Sequence, residues 1–340
     1  MGELGVIGVN SKSCPLGLRE ILTRAVEACF GNNSCDRALF PYVYLSTCHR
    51  VEIYFSGSDI AAIHMYILAM LRNNIAEAFE PYLYSFFEED VFLHLGKVTC
   101  GLDSAIIGES EIQHQVKKAY EKAKTQQVLS SKLHYLFQKS LMLGKEIRSK
   151  YGHWKQEFSL EDLIVEKIET FYENPKELPI LFIGNSQTNR KLIKIFMAKK
   201  FQELFLISRC SIDIAMQHNI AMLPREELKS FWKYPIVISA TNQLDPLLQT
   251  SIDQKRLVFD LSIPRTIDPN LKDLPNTILL NIEDLGALFH VKKQLYQQEI
   301  SYCERLIKER VKQRSLAYEI RQARAKQESE GLTLYSAPLR

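Results

Sequence analysis

Any close pair of cysteines, any long apolar run and two of the three glycines of a nucleotide-binding fingerprint are missing from this 340-residue chain. Each absence narrows what it can be. The seven cysteines, Cys14, Cys29, Cys35, Cys48, Cys100, Cys210 and Cys303, form no Cys-x-x-Cys pair and show no ligand spacing with the eight histidines. That argues against a disulfide frame or a zinc site and for reduced thiols in a cytoplasmic protein. No stretch approaches the roughly 20 apolar residues of a membrane span, and Met1 to Asn10 lacks a basic segment followed by a long apolar one. Neither membrane nor secretion is expected. A net charge of only +3 says nothing for or against nucleic acid, so local clusters must decide.

What is present is an ordinary globular balance, 46% hydrophobic and 24% charged, in a chain too long for one core. Leu4 to Val9 reads as a buried strand and Leu18 to Phe30 as a helix. The runs Tyr42 to Leu45 and Arg50 to Phe55 read as strands, and Ile60 to Leu71 as a helix. From Glu88 the character turns helical: Val91, Leu95, Val98 and Leu102 share a face, followed by helices at Glu109 to Lys124 and Lys132 to Lys150. Asn174-Pro175 and Leu178-Pro179 punctuate a boundary. Strands at Ile180 to Ile183, Leu204 to Ile207, Ile236 to Ser239, Leu257 to Leu261 and Thr277 to Leu280, with a helix over Thr188 to Lys200, then predict a doubly wound parallel sheet. The whole is α/β. After Asp284 one long helix is expected, with a stripe through Leu288, Val291, Leu295, Tyr302 and Leu306 beside another through Ile300, Cys303, Ile307 and Val311. Such a helix wants a partner.

Chemistry concentrates in Ser46-Thr47-Cys48-His49-Arg50, a polar turn between two strands. A thiol with a guanidinium two residues on and an imidazole next to it sits in positive surroundings that favour thiolate, which makes Cys48 the candidate nucleophile. The competing reading is a small core residue at a strand end. The loop from Asp103 to Gln115 joins two helices, and its acids either serve the helix dipole or grip a small polar substrate. His94 lies at the edge of an apolar stripe, as a packing residue or as a proton donor. Between Lys117 and Lys150 nine Lys or Arg stand against Glu121 and Glu146, with Tyr120, His134 and Tyr135 available for stacking. That is either a solvated face or an RNA contact. Gly184-Asn185-Ser186-Gln187-Thr188-Asn189 occupies the place of Gly-x-Gly-x-x-Gly with only its first glycine. Ser208-Arg209 ends the next strand, where an arginine suits the 2′-phosphate of NADP.

Together these words resemble glutamyl-tRNA reductases over about residues 4 to 290. The resemblance rests on Gly8-Val9-Asn10, Cys14-Pro15, Arg19-Glu20, Leu45 to Tyr54, Gly101-Leu102-Asp103-Ser104 through Gly108-Glu109 to Gln115-Val116-Lys117, Asp260 to Arg265, and Glu283-Asp284-Leu285. It implies a catalytic domain at 1–156, a Rossmann-like NADPH-binding domain at 157–284 and a shortened helical dimerisation segment at 285–340. It implies Cys48 as nucleophile and His94 as a residue important for activity. Thr47, His49, Arg50, Ser104, Glu109, Ser110, Glu111 and Gln115 would contact substrate. Gly184, Asn185, Ser186, Gln187, Thr188, Asn189, Ser208 and Arg209 would hold NADPH. The implied partners are glutamyl-tRNA(Glu), a second copy of the chain through the C-terminal helix, and an aminomutase receiving glutamate-1-semialdehyde for tetrapyrrole biosynthesis. His49 departs from the family's Asn and would add a proton carrier. Two other readings stay open: a Rossmann oxidoreductase acting on a free small acid, and a tRNA-binding protein that has lost its cofactor.

Overall fold

The computed structural model describes residues 3–31, 39–104, 111–151, 159–208, 220–241, 254–293 and 297–335. The chain opens with an antiparallel sheet in the order β2-β3-β1-β4, built from β1 (Leu4–Asn10), β2 (Tyr42–Ser46), β3 (Arg50–Ser56) and β4 (Tyr84–Phe87). One face, with Ile7, Val51, Ile53 and Phe55, packs on α1 (Leu16–Phe30) and α2 (Ile60–Arg72). The other, with Val6, Val43 and Tyr54, packs on α3 (Glu89–Thr99), α4 (Glu111–Gln126) and α5 (Ser131–Tyr151). A sheet covered on both faces explains why all of β3 is buried, its polar positions included. The short strand β4, unexpected from the sequence, adds an edge beside β1.

α6 (Leu160–Phe171), also unexpected, begins at Ser159, whose hydroxyl accepts from the N–H of Asp162 at 3.1 Å. The second sheet is wholly parallel, in the order β10-β9-β8-β5-β6-β7. Its strands are β5 (Ile180–Ile183), β6 (Leu204–Ile207), β7 (Ala221–Met222), β8 (Ile236–Ser239), β9 (Arg256–Asp260) and β10 (Thr277–Asn281), with α7 (Gln187–Ala198) after β5. Counted from β5, this is the 3-2-1-4-5-6 order of dinucleotide-binding sheets, which opens a crevice where the winding reverses beside β5. β7, missed in the sequence, is only a two-residue edge.

α8 (Ile282–Lys293) leaves β10 without a loop, and α9 (Gln297–Tyr335) follows; the junction at 294–296 lies outside the described residues. The stripe Ile300, Cys303, Ile307 and Val311 is buried, and its cover comes from the same chain, α3 and α5. Gly96 of α3 permits the approach: a Cβ there would stand 3.3 Å from Ile307 Cγ2 and from Leu143 Cδ2. On the other stripe Leu288 and Leu306 are partly buried and Tyr302 is exposed. Among the described residues no helix is long and apolar enough to cross a membrane.

Candidate active site

The β2-β3 hairpin closes through Thr47. Its N–H donates to Arg50 O at 2.9 Å, and its hydroxyl accepts from the N–H groups of His49 and Arg50 at 3.1 and 3.2 Å. Ser11, just past β1, donates its N–H to His49 O at 2.9 Å and braces the turn from outside. Cys48 is therefore held at a defined tip, half-buried and not in a disulfide. It packs on an apolar cluster shared by both sheets, running from Leu45, Leu95 and Leu102 to Leu261, Ile282 and Leu285.

His49 corrects the expectation of a proton carrier. The ring is buried with neither nitrogen hydrogen-bonded, and burial, with the charges of Arg19 and Arg50, lowers its pKa to about 3. A neutral imidazole adds no positive charge beside the thiol. Arg50 is corrected as well. Its side chain is fully buried, with Nη1 2.8 Å from Glu52 Oε1 and Nη2 3.0 Å from Asp103 Oδ2 and 2.5 Å from Asp103 O. The guanidinium braces the turn from behind; its charge is already matched.

The centre of this framework is a residue the sequence reading passed over. Glu52 is fully buried, and Oε1 accepts from Arg50, from Tyr84 OH at 2.5 Å and from His94 Nε2 at 2.7 Å, while Oε2 accepts from Tyr54 OH at 2.6 Å. Burial pushes its carboxyl up, and Arg50 with His94 more than offsets this and holds it below the usual carboxylate range. His94, buried among Phe86, Tyr84 and Tyr54, thus joins α3 to β3 and acts on the turn through Glu52 and Arg50.

Asp103 carries the loop after α3 to the same place, since beyond Arg50 it also pairs with Lys12 at 2.5 Å. Ser104 beside it is buried. Glu111 opens α4 and stands 3.9 Å from Lys191 of α7; Gln115, one turn on, is half-buried. Glu109, Ser110 and Arg209 lie outside the described residues. The stacking aromatics are corrected. Tyr120 is core, parallel to Phe137 at 5.4 Å and bonded to His134 Nδ1 at 2.8 Å, and Tyr135 packs on Tyr318 at 4.7 Å. Lys117, Lys118 and Lys124 remain on the exposed side of α4.

Just past the carboxyl end of β5, Gly184 has φ +92°, and a Cβ there would lie 2.4 Å from Ala240 O, so only glycine fits this cradle. Ser186 stands where the fingerprint has its second glycine and caps α7, accepting from the N–H of Asn189 at 3.1 Å. Main-chain N–H groups at Gln187 and Thr188 belong to the first turn, which no intrahelical bond satisfies, and they suit a pyrophosphate. Asn185 accepts from Arg190 Nε at 2.7 Å, and Ser208 follows the end of β6. Asn189 is a correction: fully buried, it donates its amide to Ile183 O and Gly184 O at 3.0 and 2.8 Å. It braces the loop from within. The cradle and helix start fit a dinucleotide despite the missing glycines, because the replacing side chains turn to capping and bracing.

Residues 7–151 match the family model of the glutamyl-tRNAGlu reductase N-terminal domain, and residues 166–288 that of shikimate / quinate 5-dehydrogenase. A protein named glutamyl-tRNA reductase from Chlamydia abortus is 31% identical over 87% of this chain and 87% of its own length. One of the same name from Neisseria gonorrhoeae is 27% identical over 91% of this chain and 78% of its own. The solved glutamyl-tRNA reductase from Methanopyrus kandleri, 20% identical, aligns over 96% of this chain and 82% of that one with a TM-score of 0.50, a likeness of fold.

Proposed function

Because the chain belongs to the glutamyl-tRNA reductase family, we propose that it reduces glutamyl-tRNA(Glu) to glutamate-1-semialdehyde, with Cys48 as nucleophile and NADPH as reductant, at the entry to tetrapyrrole biosynthesis. The observation that carries this reading is the placement of Cys48: a sulfur at the tip of a braced turn, on an apolar cluster shared with the nucleotide-binding sheet. An aminoacyl ester is an activated acyl group. The thiolate adds to its carbonyl, the C–S bond forms, the C–O bond to ribose breaks, and the ribose oxygen takes up a proton. Thr47, whose oxygen already accepts two N–H bonds, keeps its own hydrogen to donate toward the acyl group. Gly184, Asn185, Ser186, Gln187 and Thr188, with Ser208 and Arg209 toward the 2′-phosphate, would hold NADPH, whose chemistry when bound is to supply the two electrons and the proton that turn a thioester into an aldehyde and a thiolate.

The chain's part in that second stage is to keep water away, since a thioester hydrolyses. The lysines exposed on α4 support an electrostatic contact with the RNA backbone, and Leu316 and Ile320, exposed on the distal part of α9, support a second copy there. The division into 1–156, 157–284 and 285–340 belongs to the same proposal.

The test is a single turnover with tRNA carrying labelled glutamate. Without NADPH, label accumulates on the peptide containing Cys48; NADPH then discharges it as aldehyde. Cys48→Ser gives neither product while its circular dichroism matches wild type. Reduction by that variant, or activity on free glutamate, ends the proposal.

A further inference from the structure

Two neighbouring residues of α1 reach to two different parts of the second domain. Arg19, fully buried, donates Nη1 to Cys14 O at 2.9 Å and Nη2 to Glu283 Oε1 at 2.9 Å, where α8 begins. Glu20 accepts from the N–H of Arg265 at 2.6 Å, from its Nε at 2.9 Å and, on the other oxygen, from its Nη2 at 2.9 Å. A two-oxygen grip on a guanidinium plus a main-chain bond is directional as well as strong.

The segment that Glu20 grips is rigid and sits beside the nucleotide cradle. Asp260, at the end of β9, accepts from the N–H groups of Ser262, Thr266 and Ile267 at 3.1, 2.9 and 2.9 Å and from Thr266 Oγ1 at 3.2 Å. Ser262 Oγ in turn accepts from the N–H of Thr241, next to the Ala240 carbonyl that walls Gly184. Carboxyl ends of parallel strands are where such sheets bind ligand. At the other end, Arg19 is close enough to His49 for its charge to help keep that imidazole neutral, and His49 adjoins Cys48. Hydrogen bonds therefore run from the cradle to α1, and the charge of Arg19 reaches the residue beside the nucleophile. Each pair also has one partly open end, Arg265 at 28% and Glu283 at 36% side-chain exposure, so it can part without either sheet unfolding.

We propose that the pairs Glu20–Arg265 and Arg19–Glu283 form a latch that seats the carboxyl edge of the nucleotide-binding sheet over the Cys48 turn and shields an acyl group on that sulfur from water. Glu20 and Arg265 are positioning residues, and the latch rests on the function argued above. It chooses between two fates of the thioester. Water attack forms a C–O bond, breaks C–S and returns glutamate with the thiol, whereas the two-electron route returns the aldehyde.

The experiment follows the labelled acyl group on Cys48 in Glu20→Gln, Arg265→Ala, Arg265→Lys and the Glu20→Gln/Arg265→Ala double variant, without NADPH. Acylation at the wild-type rate shows that the first domain is folded. The single variants are expected to lose the label to water roughly tenfold faster, and the double variant no faster than either, because both changes break one contact. Arg265→Lys, keeping charge without the fork, falls between. With NADPH the same variants release more glutamate per aldehyde. Amides 261–267 exchange with deuterium faster in Glu20→Gln whether or not the acyl chemistry occurs. Wild-type label lifetimes, or effects that multiply in the double variant, overturn the latch. A wild-type protein that never acylates Cys48 overturns the function instead, and unchanged exchange at 261–267 then removes the latch too.

Discussion

Glu52 and His49, three residues apart around one hairpin, show opposite ways of burying a titratable side chain. Glu52 has four hydrogen-bond donors, two of them on basic side chains, and stays ionised; His49 has none for either nitrogen, and stays neutral. For His49 the consequence for stability has a definite sign. In the unfolded chain the ring titrates near 6.5, and in the fold at about 3, so between these values the unfolded state binds a proton that the native state refuses. Stability therefore falls as pH drops below about 6.5. Glu52 acts lower: its depressed pKa contributes stability that is lost only once pH falls below the ordinary carboxylate value of 4.5. Urea unfolding at pH 7, 6, 5.5 and 5 separates them. His49→Asn should flatten the decline between pH 6.5 and 5, and an unchanged slope there would show that the imidazole is not held neutral. The hairpin turn that carries Cys48 was legible because two β-branched and aromatic runs bracket a polar group. Glu52 was not, because alternation in Val51-Glu52-Ile53-Tyr54 assigns it to a solvent face, and only the helices packed on that face turn it inward.

The element most at odds with its sequence is the turn from β5 into α7. Counting glycines makes Gly184 to Asn189 a decayed fingerprint, yet the two departures carry jobs of their own, Ser186 as the helix cap and Asn189 as a brace on the carbonyls of Ile183 and Gly184. What a motif count cannot show is that side chains at those positions can fold away from the ligand. Gly184 has no such freedom, since its positive φ and the Ala240 carbonyl leave no room for a methyl. Gly184→Ala is therefore expected to weaken NADPH binding at least tenfold, read by fluorescence titration, while acyl transfer to Cys48 continues, because the strain falls in the second sheet. Equal affinities would mean that the nucleotide does not lie against this turn. The other missed elements have plainer causes. β4 is four residues at a sheet edge, too short for a period to register, whereas α6 had a readable start in Ser159 with Asp162 three residues on.

At the scale of the whole molecule, α9 has the widest reach relative to its sequence signal. Two apolar stripes were visible after Asp284, and periodicity could say that they needed cover but not from where. The fold supplies it for one stripe from α3 and α5, through the notch at Gly96, and polar contacts flank the seam: Arg310 and Arg314 on Glu146 at 3.2 and 3.4 Å, and Tyr135 OH on Arg314 O at 2.7 Å. α3 is also the helix that presents His94 to Glu52, so the packing of α9 bears on the scaffold behind the Cys48 turn. Position along α9 should then decide what a truncation does. Ile307 is fully buried against Gly96, and Ile307→Ala is expected to cost about 2–5 kcal/mol, the range for emptying a filled core position. Leu316, about two and a half turns further along the same helix and so on its other side, is 57% exposed, and Leu316→Ala should change stability by no more than about 0.5 kcal/mol. Both are measured by denaturant unfolding at low protein concentration, where association between copies contributes least. If α9 instead takes its stability from a second copy of the chain, the order reverses: Leu316→Ala becomes the damaging change, its cost grows on dilution, and Ile307→Ala is tolerated.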